Sequence, residues 1–382
     1  MASSITAVRD RVATRLRRSG MRLEHACRYL FDRGSLIEAG QTPFTVIHSR
    51  GAVRLRYYPP LAAAGIEGLG SRQSAVRQGP RTPLVLVPPL AVNMRVYDLF
   101  PQRSLVRYLR ARGFELYLVD WGEPGRAEDR LGLADYFGAL LPAMLERVRA
   151  HSGVRAVSLH GWSFGGLFSL CHAAQAAPGD IANLVLVGTP VDYHDNGVLG
   201  ERYRALSRRA RWLRRWTGLD AHRLPPGLLR SPGWLNALVF KATSPAASAK
   251  SYFRLLRNLH DAAAVRAHAT QAAFLDDMVA YPGGVVADFI DRLWVDNVLG
   301  SGRLPVAGEA PTLAAVDVPI YNITGRGDAI VTPACSRAMT RFVASPDITC
   351  ETVRGGHVGI VWSATARTET WGRIADWLIA RD

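Results

Sequence analysis

The heptapeptide His160-Gly161-Trp162-Ser163-Phe164-Gly165-Gly166 constrains the fold more than any other stretch of the chain. It sets a serine between two glycines directly after residues 154–159, an apolar run of strand length. A sharp strand-to-helix turn forces such a serine into a strained backbone conformation. A side chain at Gly161 or Gly165 would strike the neighbouring strand and helix. The stretch therefore predicts a nucleophile elbow, with a strand ahead, a helix behind and a hydroxyl at the tip.

The chain around it supplies a matching rhythm. From Leu84 onward, short apolar runs alternate with amphipathic segments of helix length, the pattern of a parallel sheet covered on both faces. The runs predict strands at 84–87, 114–119, 154–159, 183–187, 318–323 and 348–353, and helices near 102–112, 133–150, 164–177, 333–343 and 366–380. The predicted fold class is α/β, an α/β-hydrolase fold with a mostly parallel sheet, helices on both faces and an inserted, mainly helical cap. Four segments follow: a basic amphipathic helical segment at 1–40, the first part of the core at 41–190, the cap at 191–312, and the second part of the core at 313–382.

Residues 8–33 carry eight arginines, with Val8, Val12, Leu16, Leu23, Cys27 and Leu30 at spacings that suit one helical face. That helix reads as packed on the body with a solvated face, or as a membrane or partner contact. Residues 53–58 alternate as an edge strand does, ended by Pro59-Pro60. Gly65, Gly68 and Gly70 resemble a phosphate loop only superficially and read as linker. Within the cap, residues 202–215 hold seven arginines around Leu206, Trp212, Leu213 and Trp216. They suit a solvated helix, or contact with an anionic acyl carrier, a lipid surface or a protein partner.

The formal charge of +15 comes almost wholly from arginine, since Lys241 and Lys250 are the only lysines. With no nucleic-acid-binding module beside it, this charge does not argue for nucleic acid. Cys27, Cys171, Cys335 and Cys350 are scattered without metal-site or redox spacing and read as reduced, mostly buried thiols, and no metal or nucleotide cofactor is implied. The first twenty residues lack the apolar core of a secretory signal and no run has the length of a membrane span, which suggests a cytoplasmic enzyme, with an organelle transit peptide of similar Arg- and Ser-rich composition as the alternative.

A serine hydroxyl needs a base to take its proton and an acid to fix the base's tautomer. In this sheet order they should follow as Ser, acid, His, each after a strand. Gly325-Arg326-Gly327-Asp328 and Gly355-Gly356-His357 meet that order after the 318–323 and 348–353 strands. The candidate catalytic residues are therefore Ser163, Asp328 and His357. Asp192 or Asp195, beside His194, offer an alternative acid; His160 adjoins the elbow but should point away across its strand. The oxyanion requires backbone donors. The N–H of Phe164 opens the following helix, and after Pro88 and Pro89 the first residue able to donate is Leu90.

Several segments together resemble the polyhydroxyalkanoate synthases. They are Val87-Pro88-Pro89-Leu90 through Asp98-Leu99, Ser104-Leu105-Val106-Arg107-Tyr108-Leu109, Asp120-Trp121, Gly188-Thr189-Pro190-Val191-Asp192-Tyr193, Tyr281-Pro282-Gly283-Gly284, residues 325–331 and Gly355-Gly356-His357-Val358-Gly359-Ile360. The chain is similar to the two-subunit class from Thr42 to its end. That resemblance implies Asp328 and His357 as acid and base, a 3-hydroxyacyl-CoA substrate, a partner subunit or self-association, and contact with a lipid or polyester-granule surface. Those synthases carry cysteine in the elbow, whereas this chain carries Ser163. Cys171 lies about two turns further along the helix.

A serine ester is a less activated acyl donor than a thioester, so serine suits an acyl-enzyme resolved once by water or an alcohol. Three readings follow: a serine hydrolase or single-step acyltransferase on acyl esters or acyl-CoA; a polyester synthase working with serine; and a non-catalytic binding protein that keeps the fold.

Overall fold

The computed structural model describes residues 2–61, 81–243, 245–309 and 311–382. Gly65, Gly68 and Gly70 lie outside these residues.

Eight strands form one sheet in the order β1-β2-β4-β3-β5-β6-β7-β8. They are β1 Thr45–Arg50, β2 Val53–Tyr58, β3 Leu84–Val87, β4 Leu116–Asp120, β5 Val157–Trp162, β6 Ile181–Val187, β7 Ile320–Gly325 and β8 Ile348–Val353. From β4 to β8 every neighbouring pair is parallel, while β1 and β2 add on antiparallel at one end. The central strands are buried and largely apolar because both faces are covered. Alternate residues serve opposite sides: Val85, Val87, Leu159 and Leu184 pack under the helices Leu141–Ser152 and Phe164–Ala173. Leu84, Leu86, Leu116 and Val185 pack under Leu105–Ala111 and Gly372–Ile379. Each such leucine is fully buried, a burial that favours folding by about 1.5–3 kcal/mol.

Two features differ from expectation. Residues 53–58 are not the edge strand, because β1 pairs outside β2. Their alternation reflects burial on one face, with Val53 and Leu55 inward. Strands β4, β5 and β7 also run one, three and two residues beyond the expected ends, through Asp120, His160-Gly161-Trp162 and Thr324-Gly325. Polar and glycine residues break the apolar run there while the backbone continues to pair.

The N-terminal helix Ala2–Phe31 is not seated by the apolar positions expected of it. Leu16, Leu23 and Leu30 are exposed. His25 and Tyr29 make the contacts, with the Leu259 carbonyl (2.7 Å) and His268 Nδ1 (3.0 Å). Val8 and Val12 lie where side chains are outside the described set.

Between β6 and β7 run the helices Gly197–Thr217, Gly233–Ala242, Pro245–Arg257, Ala262–Asp276 and Gly283–Asp288, the last widening into a π-type segment, Phe289–Val295. No described helix is long and apolar enough to cross a membrane.

Candidate active site

Strand β5 delivers Ser163 at its carboxyl end. The serine has φ 53° and ψ −121°, a conformation costing a residue with a Cβ of order 1–3 kcal/mol. It is pinned on both sides. Its N–H donates to the Val187 carbonyl (2.8 Å), and its carbonyl accepts from Gly166 (3.0 Å) and Leu167 (3.2 Å) to start the next helix. A Cβ on Gly161 would lie 2.4 Å from Gly166 Cα, and one on Gly165 1.9 Å from the Val87 carbonyl oxygen. Gly166, which the sequence did not single out, is equally confined, since a Cβ there would meet Thr189 Oγ1 at 1.8 Å.

The loops after β7 and β8 are stitched together by their backbones. Arg326 N–H donates to the Val353 carbonyl (2.8 Å) and Gly327 N–H to the Gly355 carbonyl (2.9 Å). Asp328 Oδ1 accepts from the N–H groups of Ile330 (2.9 Å) and Val331 (2.8 Å), which leaves Oδ2 to face His357 Nδ1 at 2.7 Å. His357 Nε2 lies 3.0 Å from Ser163 Oγ. All three side chains are buried. Trp162 packs against the imidazole with ring centroids 5.7 Å apart, and a Cβ on Gly188 (φ +55°) would lie 3.3 Å from it on another side. With Nδ1–H directed at the carboxylate, Nε2 carries the lone pair toward the serine hydroxyl.

Phe164 is the first residue of the helix Phe164–Ala173, so its N–H has no acceptor within that helix. Leu90 is buried in the loop after β3. That loop is held by Trp121 Nε1 donating to the Pro88 carbonyl (2.8 Å) and by Val279 N–H donating to the Ala91 carbonyl (3.0 Å). The close approach of Gly165 to Val87 brings the loop's start against the first turn of the elbow helix. Phe289 stacks on the Phe164 ring at 4.5 Å. Nothing in the sequence pointed to Phe289, because it arrives from a segment 125 residues downstream by chain folding alone.

The competing residues lie elsewhere. Asp192 is bound by Asn297 Nδ2 (2.8 Å) and Arg341 Nη2 (2.7 Å). Burial works to raise its pKa, but those hydrogen bonds hold it below the usual carboxylate value. His194 Nε2 meets the Trp294 carbonyl (2.9 Å). His160 is buried with Nδ1 unpartnered, and burial pushes it down to about 4, which keeps it neutral. Cys171 is fully buried, and burial pushes its thiol up, away from the reactive thiolate.

Among the described residues one His/Asp cluster has metal-ligand spacing, Asp220, His222 and Asp291, with ligand atoms within 4.8 Å of one another. Its atoms are already engaged. His222 meets Asp291 (2.7 Å) and Asp288 (2.9 Å), Arg214 meets Asp291 (3.0 Å), and Arg292 meets Asp288 (2.6 Å). The arrangement is an ion network within residues 197–296.

The model of the alpha/beta hydrolase fold family matches residues 82–364. This chain belongs to the alpha/beta hydrolase fold family. The chain is 26% identical over 354 residues to the poly(3-hydroxyalkanoate) polymerase subunit PhaC of Haloferax mediterranei, covering 91% of this chain and 66% of that protein. It is 27% identical over 347 residues to the Allochromatium vinosum subunit of the same name, covering 90% of each. The chain thus spans just under two thirds of the haloarchaeal relative and most of the bacterial one. Among solved structures, a soluble variant of the Saccharomyces cerevisiae monoglyceride lipase superposes with a TM-score of 0.52 at 15% identity, covering 90% of this chain and 96% of that one. This likeness concerns the fold.

Proposed function

We propose that this protein carries out covalent acyl transfer on (3-hydroxy)acyl esters or acyl-CoA thioesters, ending in hydrolysis or a single transfer. The observation that carries the reading is the unbroken run from Asp328 Oδ2 through His357 to Ser163 Oγ, at 2.7 and 3.0 Å. Ser163 Oγ attacks the acyl carbonyl while its proton passes to His357 Nε2. Asp328 holds the imidazole in the tautomer able to accept that proton and stabilises the imidazolium. The N–H groups of Phe164 and Leu90 take the oxyanion. Collapse breaks the bond to the leaving thiolate or alkoxide, which receives the proton from His357; water or an alcohol then enters by the reverse sequence. Residues 191–312 act as the cap over this site.

A second reading, a polyester synthase working with serine and with a partner subunit or a second copy, draws on the similarity to the polymerase subunits. Incubation with 3-hydroxybutyryl-CoA separates the two. Released CoA with free 3-hydroxybutyrate supports single transfer, and CoA with polymer supports the synthase. Unchanged CoA release by a Ser163→Ala protein overturns both.

A further inference from the structure

The helix Gly197–Thr217 is amphipathic twice over. One face is seated on the protein: Ser207 Oγ donates to the Val295 carbonyl (2.6 Å), Arg214 pairs with Asp291 (3.0 Å) and Asp296 (2.9 Å), and Tyr203 stacks on Trp294 at 5.5 Å. That would satisfy an ordinary surface helix. Yet Trp212 is 65% exposed, Trp216 72% and Val198 68%, with Leu213 and Leu206 also exposed. At about 100° per residue, Val198, Trp212 and Trp216 fall within roughly 40° of the direction opposite Ser207. They form a ridge facing away from the protein.

The ridge is set in positive charge. Arg202, Arg204, Arg208, Arg209 and Arg215 are exposed, and among the described residues none has a carboxylate within ion-pair distance. In contrast, Arg211 and Arg214 are occupied by Asp291 and Asp296. Glu201 is the only acidic residue in the helix.

We infer that this outer face docks on an anionic phospholipid surface, with Trp212 and Trp216 in the headgroup layer and the unpaired Arg202, Arg208 and Arg209, which share the outward half of the helix, on lipid phosphates. Indole rings, apolar but carrying an N–H, settle at that depth, and interleaved arginines are drawn by the surface charge. A nucleic acid would meet the arginines and stack on the indoles, but it has no use for Val198, Leu206 and Leu213. The inner face of the same helix leads to the candidate site through ring contacts, Tyr203 on Trp294, Trp294 beside Phe289 (6.1 Å) and Phe289 on Phe164 (4.5 Å). Docking therefore sets the elbow close to a surface rich in acyl chains, a consequence that rests on the acyl-transfer reading, whereas docking itself does not.

The test is flotation of the full chain with vesicles of phosphatidylglycerol and phosphatidylcholine against phosphatidylcholine alone. The expected result is binding to the anionic vesicles only, with release in 1 M salt, where the screening length falls to about 3 Å. Trp212→Ser/Trp216→Ser and Arg202→Glu/Arg208→Glu/Arg209→Glu proteins should each bind at least about tenfold more weakly, with turnover of a water-soluble ester unchanged. Equal binding to neutral vesicles, undiminished binding by both variants, or binding to RNA but to neither vesicle would overturn the inference. Ser163→Ala should float like the parent; if it floats and still turns over ester, the acyl-transfer reading fails while the docking stands.

Discussion

Asp328→Asn is an informative perturbation because the surroundings dictate how the new amide must sit. Two backbone N–H groups, of Ile330 and Val331, converge on one carboxylate oxygen at 2.9 and 2.8 Å. Only the amide oxygen can accept from them, so the NH₂ group turns toward His357 Nδ1, where the other oxygen stood at 2.7 Å. Nδ1 must then accept, the ring proton moves to Nε2, and Nε2 points a hydrogen at Ser163 Oγ in place of a lone pair. The base is lost although the geometry is kept. The expected fall in kcat is roughly 10³–10⁴-fold, or about 4–5.5 kcal/mol in the barrier. Initial rates with p-nitrophenyl butyrate should show this loss in kcat with KM within about twofold. Because both backbone donors stay paired, the melting temperature should barely move. A variant with parental melting and kcat within tenfold of the parent would refute the reasoning.

Other consequences concern the scaffold. Gly165→Ala forces a Cβ to within 1.9 Å of the Val87 carbonyl oxygen and 2.6 Å of its carbon, both backbone atoms. It should cost about 3 kcal/mol or more, seen as a fall of at least roughly 4 °C in Tm for a chain of 382 residues, whereas Gly34→Ala, with nothing within 4 Å, should stay within about 0.5 kcal/mol. His222 is held up at about 9 by its hydrogen bonds to Asp288 and Asp291. A raised pKa stabilises fully below the ordinary histidine value of about 6.5 and fades as pH rises through about 9. With the ring 38% exposed, solvent screening leaves roughly 1–2 kcal/mol. The Tm gap between parent and His222→Gln should therefore narrow from pH 6 to pH 10, and a constant gap would contradict this account.

The fold was readable where burial writes an unambiguous pattern. Strands β3 and β8 lie at the residues their apolar and β-branched runs indicate, and the central strands differ only at their ends. Those ends carry His160-Gly161 and Thr324-Gly325, whose composition serves the turns while their backbones still pair. Strand β1 escaped because Thr45–Arg50 is mostly exposed and keeps only Ile47 and His48 half-buried, so no periodicity marks it. The residues of the candidate site were legible because glycine punctuates each loop that presents them. Phe289, Trp162 against His357, and Thr189 against Gly166 were not, since each depends on a contact between elements. The N-terminal helix is the reverse case: its apolar spacing is real, but among the described residues Leu16, Leu23 and Leu30 stay exposed.

The central claim is that Ser163 is a nucleophile made reactive by His357. Labelling the full chain with a fluorophosphonate and mapping the adduct by peptide mass spectrometry tests it without any assumption about substrate. The account predicts one adduct, on Ser163, absent from Ser163→Ala and forming at least about 10³-fold more slowly in His357→Ala. A parent protein that stays unlabelled, or one labelled at another residue, would contradict it.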